Sequence, residues 1–141
     1  MSSINSTVKV FEDFQINVKL KISALWITIM FCYVYGDYIE IYIPGVLAEA
    51  MEVKATAETQ LEFFAVAFLM VIPSVMIFFT LVLKPKINRW LNIILPMFYI
   101  LLLIGVNLSG GWAFYLFLTS VEIVISIAIL MYSYKWPTVA V

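Results

Sequence analysis

LEFFAVAFLMVIPSVMIFFTLVLKPK, residues 61–86, decides the fold, because a long apolar run ends here on a basic Lys-Pro-Lys connection. A helix needs about 20 predominantly apolar residues to cross the hydrocarbon core of a bilayer. The run at 61–83 has that length, and so do three others, at 21–43, 87–108 and 112–134. The sequence therefore predicts four membrane-spanning helices.

The charged residues between these runs predict how the helices are oriented. Lys54 lies on one side of the predicted membrane, and the other seven basic residues lie on the opposite side, with both termini: Lys9, Lys19, Lys21, Lys84, Lys86, Arg89 and Lys135. Basic residues accumulate on the cytoplasmic side of membrane proteins, so we expect both termini to be cytoplasmic. Six carboxylates lie at or near the outer side: Asp37, Glu40, Glu49, Glu52, Glu58 and Glu62.

The connections predict the topology of the bundle. Lys84-Pro85-Lys86 and Ser109-Gly110-Gly111 are too short to join anything but antiparallel neighbours. We therefore expect an all-α, up-down-up-down four-helix bundle as a single transmembrane domain over residues 21–141, preceded by a partly amphipathic cytoplasmic segment at 1–20. The 44–60 connection has the pattern of a short helix on the outer interface, and Thr59-Gln60-Leu61-Glu62 matches a capping box that would begin the second span.

Composition excludes several classes of function. With 65% hydrophobic residues, 12% charged residues and a mean hydropathy of +1.06, the chain has the composition of an integral membrane protein. A net charge of −1 without a long basic stretch argues against a nucleic-acid partner and leaves the lipid bilayer as the expected one. The chain has no histidine and a single cysteine, Cys32, so we expect no cofactor, no metal site and no enzymatic activity.

Glu122 is the strongest candidate for a functional residue. It lies near the middle of the fourth apolar run, where an ionisable side chain is costly and rarely present without a partner or a function. At helical spacing it shares a polar stripe with Tyr115, Thr119 and Ser126, and such a stripe must face the bundle. Two interpretations stay open. Glu122 is either a proton or cation site, or a protonated group that hydrogen-bonds a neighbouring helix.

Asp37 and Glu40 form a second candidate group near the outer end of the first run. They are three residues apart, hence on one helix face, and Tyr33 lies one turn deeper on that face. Together they predict a negative, outward-facing pocket for a cation or the ammonium group of a small substrate. The alternative is that both carboxylates simply reach the water at the headgroups.

Pro73 and Pro96 lie inside predicted spans. Each lacks an amide hydrogen and so leaves a carbonyl free one turn earlier, at Leu69 and at Asn92. Such carbonyls can bind ions or permit a hinge, although proline in membrane helices also serves packing alone.

Several short motifs resemble those of an uncharacterised group of small bacterial four-helix membrane proteins. They are Lys-Ile-Ser-Ala-Leu-Trp at 21–26, Tyr-x-Tyr-x-Asp at 33–37, Pro-Gly at 44–45, Val-Glu-Ile at 121–123 and Tyr-Lys-Trp-Pro at 134–137. The resemblance implies a multi-pass protein of the bacterial inner membrane, singles out Asp37 and Glu122, and brings no assigned activity. Small four-helix multidrug exporters are similar in size, but their membrane glutamate lies in the first helix.

The leading hypothesis is a small transport or binding protein, in which Asp37 and Glu40 admit a cationic species and Glu122 is the deep protonatable site. The alternative is a scaffold or accessory subunit, with Glu122 bonded to Tyr99 or another bundle group. Four helices enclose only a narrow polar seam, so transport would be easier for a homodimer, although no small-xxx-small glycine motif marks a dimer face.

Overall fold

The computed structural model describes residues 14–53 and 56–138. Within these ranges the chain forms five helices and no strand: α1 (Val18–Glu40), α2 (Val46–Glu52), α3 (Ala57–Val82), α4 (Pro85–Leu108) and α5 (Ala113–Tyr134). Helices α1, α3, α4 and α5 are long and apolar enough to cross a membrane. The predicted all-α membrane architecture with four spans is therefore confirmed. The amphipathic segment predicted at 1–20 lies largely outside the described residues, as do Lys9 and Lys54.

Helix α1 begins and ends three residues before the predicted bounds of 21–43. Asn17 caps its start, because its side-chain oxygen accepts a hydrogen bond from the Lys19 amide at 2.9 Å. At the other end the chain leaves the helix at Ile41 and turns before Pro44. A proline disfavours helical backbone in the residue before it, so the helix ends ahead of Pro44 rather than at it.

The predicted capping box at Thr59 is wrong. Helix α3 begins at Ala57, and its N-cap is Thr56, whose hydroxyl oxygen accepts from the Thr59 amide at 3.2 Å. Thr56 has the extended backbone of a capping residue, which places its hydroxyl over the first turn. The helix therefore begins earlier in the chain than predicted. The short helix predicted in the 44–60 connection is present as α2, and Gly45 begins it with a φ of 96°.

Side-chain contacts at one end of the bundle establish antiparallel neighbours. The Lys19 ammonium group, at the start of α1, donates to the carbonyls of Leu81 and Leu83 at the end of α3, at 3.0 and 2.7 Å. The Arg89 guanidinium, at the start of α4, donates to the carbonyls of Ser133 and Tyr134 at the end of α5. The up-down-up-down order is confirmed, and all described basic residues lie at this end.

We call this end the basic end and the opposite one, which holds Asp37, Glu40 and the carboxylates of the 41–62 segment, the acidic end. Four side chains of the hydrophobic core cluster lie on the basic-end side of the bundle centre, each no more than 2% exposed: Trp26, Ile29, Met76 and Ile129. We call them the core layer. The Trp26 indole nitrogen donates to the Asn92 side-chain oxygen at 2.7 Å, which fixes the ring in this layer.

The four spans do not form a closed square. Helix α1 packs against α3 and α5, and α5 packs against α1 and α4, whereas α3 and α4 share few contacts. Near the basic end a buried polar cluster joins them: the Asn88 amide donates to the Thr80 carbonyl, and the Asn92 amide donates to the Asn88 side-chain oxygen at 2.7 Å. Helices α3 and α4 are thus joined near the basic end, and we call the sparsely packed part of their interface toward the acidic end the gap.

Candidate functional site

A cavity of about 120 Å³ lies in the bundle on the acidic-end side of the core layer. All four spans line it. Most of its wall is apolar, from leucine, valine and methionine side chains, and its polar lining residues are Tyr33, Asp37, Tyr99, Tyr115, Thr119 and Glu122. Five of the seven residues predicted for the site therefore share one cavity.

Glu122 is the deepest carboxylate of the cavity. The residue is 2% exposed, and its Oε2 atom has no hydrogen-bond partner among the described residues. Buried polar atoms in proteins are nearly always hydrogen-bonded, and an ionised carboxylate buried without a partner is costly. Glu122 is thus held in place by the helix that carries it, while its carboxyl group stays available to whatever occupies the cavity.

The polar stripe of α5 faces the bundle, as its spacing predicts. Thr119 is buried, and its hydroxyl hydrogen-bonds the side-chain oxygen of Asn107 on α4. Ser126 lies one turn from Glu122 toward the basic end, is 1% exposed, and has no partner for its hydroxyl in the described part of the chain. Ser126 therefore lies on the basic-end side of Glu122 and is not part of the cavity wall. Asn107 was not predicted, because a neutral amide near a helix end costs much less free energy in a membrane than a carboxylate does. It therefore does not stand out in the sequence.

The two carboxylates of α1 occupy different positions. Asp37 lines the central cavity yet stays exposed, which places it at the mouth, and the half-buried Tyr33 lies one turn deeper. Glu40 lies instead in a separate outer pocket beside Trp112, at the α4–α5 turn. Tyr115 lines both pockets. The single negative pocket expected from the sequence is thus divided into an outer pocket with Glu40 and a deeper cavity with Asp37.

The Asn88 and Asn92 pair was also missed, although its signal was present. The two residues lie four apart on the buried face of α4, which continues through Pro96 and Tyr99. Polar side chains at helical spacing in an apolar span indicate a face toward the bundle, as they do in α5. This cluster is fully satisfied by its own hydrogen bonds and by Trp26, so it supports the fold and leaves no free group for a ligand.

Tyr99 has a structural task that the sequence did not predict. Its hydroxyl donates to the Leu69 carbonyl at 2.6 Å. Leu69 is the residue whose carbonyl Pro73 leaves free, since proline has no amide hydrogen to donate one turn later. The bond to Tyr99 expected for Glu122 under the scaffold hypothesis is therefore not formed. Tyr99 instead links α4 to α3 by this hydrogen bond, at the end of the gap that is nearer the basic end.

This pairing predicts a coupled effect on stability. Tyr99→Phe should lower the free energy of unfolding in detergent by about 1–3 kcal/mol, because the Leu69 carbonyl loses the side-chain hydroxyl that donates to it. Pro73→Ala restores an amide that can donate to Leu69 within the helix. Thermal unfolding of the two single variants and the double variant checks this, and the double variant should recover most of the loss. An equal cost of Tyr99→Phe in both backgrounds would contradict the assignment.

Comparison with known proteins gives a family without a function. A family model described as "Family of unknown function (DUF6326)" matches residues 8–140. No curated protein and no solved structure matches the chain. The site must therefore be interpreted from its own geometry.

Proposed function

We propose that this chain, which belongs to the DUF6326 family of unknown function, is a small membrane transport or binding protein whose embedded carboxylates take up a proton or a cationic species. One observation carries the proposal: Glu122 is 2% exposed as a residue, lines a cavity and has a carboxyl oxygen without a hydrogen-bond partner among the described residues. Ionisable groups within membrane spans are rare and usually mark ion or substrate pathways.

The chemistry of the proposal is an exchange on one carboxyl group. In the empty cavity the carboxyl is neutral, because the ionised form would be buried without a partner. A cation that enters pairs with the carboxylate, and the displaced proton leaves toward water. The other titratable groups that face the cavity are Cys32, Tyr33 and Asp37 on α1, Tyr99 on α4 and Tyr115 on α5, while α3 contributes only apolar side chains.

The carboxylates at the acidic end support this exchange by attracting cations. Asp37 at the mouth and Glu40 in the outer pocket place negative charge along the approach to Glu122, which raises the local concentration of positive ions. Under the positive-inside rule the acidic end faces outward across the bacterial inner membrane, with both termini cytoplasmic. The proposal involves binding and proton exchange and no enzymatic step.

Flux in proteoliposomes tests the proposal. Proton and monovalent-cation flux is measured at two pH values for the parent protein and for Glu122→Gln, which keeps the shape of the side chain and removes its charge. Glutamine cannot release a proton in exchange for a cation and offers that cation no negative charge, so flux should fall by about tenfold or more. Glu62→Gln on α3 is the matched control, because Glu62 is exposed and outside the cavity. If Glu122→Gln leaves every flux and binding assay unchanged, the proposal is wrong.

A further inference from the structure

The gap between α3 and α4 lies alongside the cavity, because both helices line it. Val66, Leu69 and Met70 from α3 and Leu103 and Val106 from α4 line the cavity on either side of this gap. Val66 is 53% exposed although it belongs to the cavity wall. Because α3 and α4 share few contacts beyond their fastening at the basic end and the Tyr99 bond to Leu69, helix packing in the described chain is weakest on this side of the cavity.

The wall of the cavity selects against a bare metal ion. Such an ion needs a shell of several oxygen, nitrogen or sulfur ligands. Among the described residues no three histidine, cysteine, aspartate or glutamate side chains converge to supply one. Most of the wall is hydrocarbon, with three tyrosine rings and a single deep carboxylate. This combination suits a cation whose charge is surrounded by methyl or methylene groups, because aromatic faces and apolar walls both attract such ions.

The volume of the cavity limits the size of this cation. A cavity of about 150 Å³ in another protein accommodates benzene, which has six carbon atoms. In proportion, the 120 Å³ found here holds a ligand of about five non-hydrogen atoms.

We propose that the cavity binds a small organic ammonium ion, which enters through the gap between α3 and α4 and pairs with the carboxylate of Glu122. The inference rests on the proposed function and names its ligand class and route. The alkyl groups of the ion contact the leucine and valine walls, and its positive charge lies against Glu122. Binding releases the carboxyl proton, so charge and atoms balance as an exchange of one cation for one proton.

Calorimetric binding to the purified protein in detergent tests the ligand class, with tetramethylammonium as the probe because it has five non-hydrogen atoms and a permanent charge. Its neutral analogue of the same size is tert-butanol, tetrabutylammonium is too large for the cavity, and sodium and potassium are bare ions. Tetramethylammonium should bind the parent protein, and Glu122→Gln should weaken that binding about tenfold or more. The neutral analogue and the large ion should show no binding.

A matched pair of variants tests the route. Val66 and Val71 are both 53% exposed on α3, but only Val66 lines the cavity. Val66→Trp should slow the uptake of radiolabelled tetramethylammonium into proteoliposomes about tenfold, while Val71→Trp should leave it within about twofold of the parent. Since both sites are exposed, both variants should fold, and thermal unfolding verifies this.

The outcomes separate this inference from the proposed function. If sodium or potassium binds in a Glu122-dependent manner and tetramethylammonium does not, the ligand class is wrong and the proposed function stands. If no cation binds in a Glu122-dependent manner, both are wrong. Equal uptake rates for Val66→Trp and Val71→Trp would show that the gap between α3 and α4 is not the entrance.

Discussion

Glu122→Leu is expected to abolish cation-coupled flux and, at the same time, to raise the thermal stability of the protein in detergent. Leucine is an apolar side chain of comparable size, and it removes a buried oxygen that has no hydrogen-bond partner in the described chain. Replacing an unsatisfied buried polar group with an apolar one should increase the free energy of unfolding by about 1–3 kcal/mol. Flux should disappear because only Asp37, at the mouth, is then left as a carboxylate in the cavity, and no deep carboxylate remains to exchange a proton for a cation.

The sign of the stability change separates the two hypotheses for Glu122. If the residue served as a scaffold that hydrogen-bonds a neighbouring helix, Glu122→Leu would break a bond and lower the unfolding temperature. If Glu122 is instead a functional residue without a structural partner, Glu122→Leu should raise the unfolding temperature, because functional residues are often retained at the expense of stability. Thermal unfolding and proteoliposome flux are measured on the same preparations, with Ser120→Ala on the exposed face of α5 as the control. A drop in unfolding temperature would favour the scaffold.

Trp26→Ala is expected to cause the largest loss of stability of any single substitution in the bundle, about 3–5 kcal/mol. Trp26 is fully buried in the core layer, packs edge-on against Tyr99 with ring centroids 6.4 Å apart, and donates to Asn92. Truncation removes the ring and its hydrogen bond together. It also opens a hole between the cavity and the basic end, so any protein that remains folded should leak protons without requiring Glu122.

Two further variants resolve the causes of this loss. Trp26→Phe keeps an aromatic ring in the core layer but loses the bond to Asn92 and part of the ring volume, so its cost should be smaller than that of Trp26→Ala, about 1–3 kcal/mol, and it should not leak. Ile27→Ala, at the next position of α1, affects a side chain that is 40% exposed on the surface of the bundle and should be nearly neutral. Chemical denaturation and dye-monitored proton leak provide the measurements. A Trp26→Ala protein that stays as stable as Ile27→Ala would contradict the role of the core layer.

The spans and their order could be predicted from the sequence because length, hydropathy and charge each act along a single helix. The helix ends were less accurate, since Asn17 and Thr56 cap one turn away from the expected positions and a cap depends on local backbone geometry. The contact between α4 and α5 follows from their short connection, whereas the packing of α1 against both α3 and α5 was not predictable. In a membrane the lipid-facing side of a span is as apolar as most of its bundle-facing side, so a polar stripe identifies the buried face but not the helix that packs against it.

The candidate site was predictable to a similar extent. Glu122 and Thr119 follow from the cost of polar groups in a bilayer, and that cost also drew attention to Asp37. The division of Asp37 from Glu40, the bond from Tyr99 to Leu69 and the partner of Thr119 depend on contacts between helices that are distant in sequence. Periodicity within one helix contains no information about such contacts.

The fastening of α3 to α4 at the basic end has a mechanical consequence. Asn88, Asn92 and Thr80 join the two helices there, and the Tyr99 bond to Leu69 joins them again near their middle. The rest of the α3–α4 hairpin, toward the acidic end, is packed sparsely. An ion that enters between the two helices, as proposed, must displace the acyl chains that lie there and so does work against the lateral pressure of the bilayer. Uptake by the proposed route should therefore be slower in a bilayer whose acyl chains are packed more tightly.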